Sequence, residues 1–301
     1  MKAVNLVALT LAAVLLVSWM SVAFYPSIRD FIDANPFWNG LRDFDSRFGA
    51  ESIDDLNEVT GRTEGDVLVV IPYLPYQPHE LDIVADFVTG GGTLLLMDDY
   101  GYGNQVLERL GLDMSFDGAP LLDPYLCYRN QWLPLATDIA DGLRESGVQQ
   151  LTMDRATGLH VSGPYEVLAR SSDTSYLDRD ASGSWDNDEP EGPFAVAVRA
   201  RSGRGEVIAV SDPSILINSM VNRGDNSLFL EQVILSDRQN PRIYVDTSHL
   251  PKAPLDRAKQ AWQVARQRMG APYAQILLVG AVLAIAWMPF RSKGGKIERK
   301  R

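Results

Sequence analysis

The chain has 301 residues, 46% of them hydrophobic and 22% charged, with a formal net charge of −11. That acid excess excludes ordinary binding to nucleic acid or anionic lipid, both of which it repels. A single cysteine, Cys127, excludes an internal disulfide, and three widely spaced histidines, His79, His160 and His249, exclude a paired zinc motif.

In chain order, an apolar run over residues 3–24 comes first, interrupted by Asn5, Thr10, Ser18 and Ser21. About 20 apolar residues cross a bilayer core, so the run is predicted to be an uncleaved transmembrane anchor; the alternative is a cleaved signal peptide, with Lys2 as its positive end and Ser21-Val22-Ala23 as its cleavage site. Trp19, Phe24 and Tyr25 would form its interfacial belt. A polar connector follows over 25–37, then a folded region over 38–250. A juxtamembrane helix over 251–272 leads to a second apolar run, 273–290, whose polar interruption is Gln275. The tail 291–301 contains Arg291, Lys293, Lys296, Arg299, Lys300 and Arg301, and such basic segments stay in the cytoplasm. These features predict a two-pass protein of the cell membrane, with both termini cytoplasmic and the main domain extracytoplasmic. Setting aside Lys2, the tail's cations and Glu298 takes the charge from −11 to about −17 on the middle section.

Within the folded region, Trp38, Leu41, Phe44 and Phe48 are spaced for a short amphipathic helix. Residues 66–71 form an unbroken apolar strand ended by Pro72. A helix is predicted over 78–89, opened by Pro78 and burying Leu81, Val84, Ala85 and Val88 on one face. A second strand over 93–97 and a helix over 102–110, stopped by Gly111, come next. Apolar strands separated by helices imply a parallel sheet covered on both faces. From about 112 to 192 the pattern changes to short pieces (121–132, 148–153, 165–169), predicted as a β-rich insertion. A hairpin over 194–200 and 206–211 follows, then a helix over 226–235, a strand over 242–245 and a helix over 254–269. The fold class expected is α/β: a three-layer parallel-sheet domain, flavodoxin-like, with a β-rich insertion and two flanking transmembrane helices.

The sharpest local signal lies in residues 178–189. A twelve-residue calcium loop needs oxygens at positions 1, 3, 5, 7 and 9 and a bidentate Glu at 12, with glycine at 6 for the turn. Asp178, Asp180, Ser182, the Ser184 carbonyl, Asp186 and Glu189 occupy those positions, and Gly183 occupies the turn. Pro190 blocks the exit helix of a full helix–loop–helix. The expectation is a structural calcium ion; the plain alternative is a solvated acidic loop.

A second candidate is Asp98-Asp99-Tyr100 at the carboxyl end of the strand over 93–97, where open parallel sheets bind ligands. Its acids suit a cation or a hydroxyl-rich ligand better than a phosphate. The alternative is that Asp99 or Asn104 caps the next helix while Tyr100 packs. Asp212 ends the hairpin in the same manner, with Asn218, Arg223, Asp225 and Asn226 nearby; Asp225 is placed to cap a helix. Gly90-Gly91-Gly92 precedes a strand rather than opening a helix, so it reads as a turn and not a phosphate loop. Cys127 lies in an apolar stretch that suggests a buried thiol.

The chain resembles the domain of unknown function 4350 family. The resemblance rests on Val67-Leu68-Val69-Val70-Ile71-Pro72, Gly90-Gly91-Gly92-Thr93-Leu94-Leu95-Leu96 and Asp98-Asp99-Tyr100-Gly101. Further matches are Glu191-Gly192-Pro193-Phe194-Ala195-Val196, Val210-Ser211-Asp212-Pro213-Ser214 and Asp225-Asn226. Their order, over roughly 38–236, identifies the family more than any one of them. It implies a fold similar to the class I glutamine-amidotransferase-like α/β domain. Asp98-Asp99-Tyr100 stand where such enzymes have their cysteine, which argues against glutamine hydrolysis. It also implies association with a MoxR-type ATPase and with proteins bearing von Willebrand A-like or transglutaminase-like domains.

Together these readings predict a membrane-anchored binding or scaffold protein, non-catalytic, with a calcium-stabilised loop. The alternatives are a carboxylate-dependent hydrolase using Asp98, Asp99 and Asp212, or an accessory subunit of an exporter or ATPase-associated membrane complex.

Overall fold

A computed structural model describes residues 3–61, 65–235, 238 and 240–268. The chain divides into two units, residues 1–27 with 252–301, and residues 28–251.

In the first unit, α1 (Ala3–Phe24) is apolar, and from Leu9 onward its side chains are exposed except for the half-buried Val22. The second helix is α7 (Pro254–Arg268). Here the sequence expectation is corrected. Among the described residues no helix is long and apolar enough to cross a membrane. The second apolar run, 273–290, and the basic tail lie outside the described residues. The two-pass membrane arrangement, and the extracytoplasmic placement built on it, are therefore not supported.

The second unit is built on a ten-stranded sheet. Its strands are β1 (Glu51–Ile53), β2 (Val67–Val70), β3 (Thr93–Met97), β4 (Met114–Phe116), β7 (Asp138–Ile139), β9 (Leu159–Val161), β10 (Glu166–Arg170), β12 (Ala195–Ser202), β13 (Gly205–Val210) and β14 (Ile243–Asp246). Two small ladders complete the strands: β5 (Leu121–Leu122) with β11 (Tyr176–Leu177), and β6 (Leu135–Ala136) with β8 (Leu151–Thr152). The spatial order is β1-β14-β2-β3-β13-β12-β10-β7, with β9 joining β12 to β4. The β1-β14-β2-β3-β13 half is parallel, in register Val67↔Thr93↔Glu206. The hairpin then turns the sheet antiparallel through β12, β10 and β7. The sheet is thus mostly parallel rather than wholly so, because a two-residue turn at Gly203-Arg204 leaves β12 no option but to run back along β13.

The period-two alternation of strand side chains divides the core. Val67, Val69, Leu95, Met97, Ile208 and Val210 pack on one face with Phe44 of α2 (Arg42–Phe48) and with Phe229, Leu230 and Val233 of α6 (Asn226–Leu235). Leu68, Val70, Leu94, Leu96, Val207 and Ala209 pack on the other face with Val84, Phe87 and Val88 of α3 (Pro78–Thr89) and Val106 and Leu107 of α4 (Gly103–Arg109). A short helix, α5 (Asp141–Glu145), belongs to the insertion. Helices thus cover both faces, and at about 25 cal/mol per Å² their apolar burial is the main force holding the layers.

Candidate functional site

The parallel strands deliver their acids to one edge. β3 leads into Asp98 and Asp99, β13 into Ser211 and Asp212, and β14 ends on Asp246. Asp98 is buried and accepts the Gly101 N–H (2.8 Å) and the Gly103 N–H (2.6 Å), one on each oxygen. Only glycine permits this approach. A Cβ on Gly101 would stand 2.4 Å from the Pro72 carbonyl oxygen, and one on Gly103 would stand 2.7 Å from Asp98 Oδ2. Asp212 is fully buried and likewise accepts the Ser214 N–H (2.7 Å) and the Asp154 N–H (2.7 Å). It therefore caps the 3₁₀ turn Pro213–Leu216 and ties the insertion to the sheet.

Asp99 accepts from the Tyr100 N–H (2.7 Å) and the Tyr73 hydroxyl (3.0 Å). Tyr100 is partly exposed and donates its hydroxyl to the Arg155 carbonyl at 2.7 Å. Arg155, in the left-handed region at φ 60°, holds its guanidinium over the Trp132 ring. The Ser211 hydroxyl is buried and finds no partner among the described residues.

Burial outweighs these donors. It pushes the Asp98 carboxyl up to about 6, against the pull of Gly103 and Gly101. It raises Asp99 and Asp154, and carries Asp212 well above the usual carboxylate range. Tyr73 is raised for the same reason, helped by Asp99.

Asp246 and His249 form a second buried group at this edge. The His249 Nδ1 lies 2.6 Å from Asp246 Oδ2 and its Nε2 lies 3.4 Å from Glu80 Oε2, while its ring stacks on Tyr76 at 3.7 Å. Burial alone would lower the His249 pKa, but the Asp246 hydrogen bond and the charges of Asp246 and Glu80 raise it.

Asn218 accepts the Asp43 N–H and donates to the Asn35 and Phe37 carbonyls. Asn226 bonds both polar main-chain atoms of Thr152. Asp225 accepts the Gln149 and Gln150 N–H groups with its side chain, and so anchors the insertion rather than capping α6. Asn104 does not cap its helix either, since it pairs with the main chain of Phe116. Cys127 is only half-buried.

In the loop 178–189, oxygens of Asp178, Asp180 and Glu189 lie within 4.8 Å of one another. The buried Asp178 accepts the Ser182 N–H (3.0 Å) and the Gly183 N–H (2.9 Å), and Gly183 has φ 72°. Ser182 Oγ donates to the Ser184 carbonyl at 2.8 Å, and Glu189 accepts the Arg179 and Asp186 N–H groups.

Tyr73, Asp154 and Asp246 escaped the sequence reading, and His249 entered it only as a histidine too far from the others for zinc. A carboxylate three residues before a histidine at a strand end was a visible signal for the last two; Tyr73 and Asp154 had none.

No curated protein sequence matches the chain. Among solved structures, the mmIFT52 N-terminal domain overlaps it with a TM-score of 0.51 at 10% identity, covering 71% of this chain and 97% of that one. At that identity the likeness concerns the fold alone. A beta-galactosidase from Bacillus circulans sp. alkalophilus (TM-score 0.33, 14% identity) covers 56% of this chain and 23% of its own. An exo-beta-1,4-mannosidase from Opitutaceae bacterium strain TAV5 (TM-score 0.31, 13% identity) covers 56% and 25%. This chain spans about a quarter of each of those two enzymes, and overlaps this small carry no weight for fold or function. The family described as Domain of unknown function (DUF4350) matches residues 34–234, well over half of the sequence, and the chain belongs to that family.

Proposed function

We propose that the chain is a binding or scaffold module without chemistry of its own, and that it meets its ligand or partner at the carboxyl edge of the sheet. The observation supporting this is the state of Asp98 and Asp212. Both side chains are buried and each of their oxygens accepts a main-chain N–H, an arrangement that suits holding loops in place. Asp99, Asp154, Tyr73 and Tyr100 supply the polar surface between those loops, which suits a cation or a hydroxyl-rich ligand. On this reading, Asp98-Asp99-Tyr100 replace the cysteine elbow of a glutamine-amidotransferase-like ancestor. Family resemblance makes a MoxR-type ATPase, or a protein with a von Willebrand A-like or transglutaminase-like domain, the expected partner. The test is a panel of chromogenic glycosides and esters offered to the purified full-length protein. No turnover is expected. Turnover that Asp99→Asn abolishes, with the melting temperature held, overturns the reading in favour of a carboxylate-dependent hydrolase.

A second element of the proposal is calcium in the loop 178–189, supported by the convergence of Asp178, Asp180 and Glu189. The donor set fits, because carboxylates with hard oxygens bind this ion, and each carboxylate keeps lone pairs beyond its N–H donors. Occupancy would require the Ser182–Ser184 bond to open. Loops of this type bind at about 10⁻⁴ to 10⁻³ M, so 10 mM calcium is expected to stabilise the body by about 1–3 kcal/mol. Magnesium should not substitute. An unchanged melting curve, the same in Glu189→Gln, rules calcium out.

A further inference from the structure

The amino edge of the same sheet contains a groove of about 1130 Å³. It lies at the opposite end of the strands from Asp98, Asp99 and Asp212, and is independent of the function proposed above. Among the described residues its charged lining consists of Arg199, Arg201, Arg204 and Arg238 with Glu166 and Glu206. Cations outnumber acids in that described lining, although the protein as a whole carries −11.

The four arginines differ in how they are held. Arg199 donates to Glu166 at 3.0 Å, and its Nε lies 3.5 Å from Glu206. Arg238 pairs with Glu206, donates to Thr93 Oγ1 at 2.7 Å, and caps the carbonyls of Val233 and Ile234 at 3.0 Å each. These two guanidinium groups are fixed and their charges offset by the two glutamates. Arg204 is oriented by the Gly90 carbonyl at 2.6 Å, and a neutral acceptor leaves its charge unbalanced. Arg201 stands opposite Glu206 in the hairpin register, is exposed, and makes no hydrogen bond or ion pair among the described residues. The groove therefore has two guanidinium groups held and neutralised by glutamates, and two, Arg201 and Arg204, that pair with no carboxylate among the described residues.

We propose that this groove binds a small polyanion through phosphate or carboxylate groups, with Arg201 and Arg204 making the contacts. A planar guanidinium fork matches either group bidentately. The volume is of the order of known small-molecule sites, about 300–1000 Å³. A long nucleic acid would extend past the groove onto the acidic surface and be repelled, whereas a small ligand meets only the arginines. Because Arg204 is already oriented, less side-chain entropy is lost on binding.

The test is isothermal titration calorimetry on the purified full-length protein at about 150 mM salt, with inorganic tripolyphosphate and, separately, citrate as probes. Saturable binding of tripolyphosphate is expected. Each charge-assisted contact is worth about a factor of ten or more, so Arg201→Gln with Arg204→Gln should weaken it at least about tenfold while the melting temperature holds. Arg201→Lys, which keeps the charge and loses the fork, should fall between, and Arg109→Gln, an exposed arginine outside the groove, should change nothing. Citrate bound as tightly assigns the site to carboxylates as well, and weaker citrate assigns it to phosphate. No saturable binding of either probe, or binding indifferent to the double substitution, overturns the proposal.

Discussion

At the carboxyl end of the parallel strands the charged side chains are acids, buried and bonded to main-chain N–H groups. In the groove at the amino end the described charged side chains are arginines, partly exposed and only half offset by glutamates, beside a buried Asp66 paired with Arg242. The contrast follows from backbone polarity. Where strands end and loops turn sharply, N–H groups are left without ladder partners, and a short carboxylate at the strand end satisfies two at once. The amino end has a tight hairpin turn instead, which leaves long cationic side chains to span the gap between layers. One edge uses its charge to build loops; the other keeps charge in reserve.

Breaking the carboxyl edge should be costly. Gly103→Ala drives a Cβ to 2.7 Å from Asp98 Oδ2 and 2.9 Å from Phe116 Cε2, and is expected to cost about 3 kcal/mol or more in denaturant titration. Asp98→Ala abandons two N–H groups and should cost about 2 kcal/mol by the same measure. It costs less than the glycine change because burial already penalises the ionised carboxyl.

Acidity sharpens the comparison. A carboxyl raised in the folded state binds protons more readily there than in the unfolded chain, so stability falls as pH rises between the two pKa values. For Asp98 that window runs from about 4 to about 6, and Asp99, Asp154 and Asp212 act in the same direction. His249, also raised, contributes stability that is intact below about 6.5 and lost at higher pH. Melting temperature should therefore rise on acidification from pH 7 to pH 5, and Asp98→Asn should flatten the lower part of that rise. A profile that Asp98→Asn leaves unaltered would show the acid to be ordinary. The smallest effect belongs to the amino edge, where Arg201→Gln should change stability by no more than about 0.5 kcal/mol.

Much of the frame was legible in the residues. The helix over 78–89 has the predicted bounds because Pro78 starts it and Glu80 reaches back to the Gln77 N–H at 2.6 Å. The strand Thr93–Met97 and the helix Asn226–Leu235 also match, since their apolar runs leave one reading. Pairing was not legible. Nothing near β14 marks it to lie between β1 and β2, and nothing near β10 marks it to extend the sheet antiparallel, because ladder partners are chosen across about 30 to 190 residues by core packing. The site was half legible for the same reason. Asp98, Asp99 and Asp212 stand at strand ends and could be named, whereas Asp154 arrives from the insertion. Arg199, Arg201, Arg204 and Arg238 each look like ordinary surface cations until the hairpin and α6 gather them.

The Arg29 guanidinium donates to the carbonyls of Thr247, Leu250 (2.8 Å) and Pro251 (3.0 Å). Arg29 begins the 28–251 unit and Pro251 closes it, so one side chain clasps the entrance and the exit of that unit. Ends held this close allow the body to be excised as a cassette, or rejoined by a few glycines and reopened in the tip of an exposed loop, with its core undisturbed. The gene segment for 28–251 is thus a portable part, to be moved between host proteins without a long spacer.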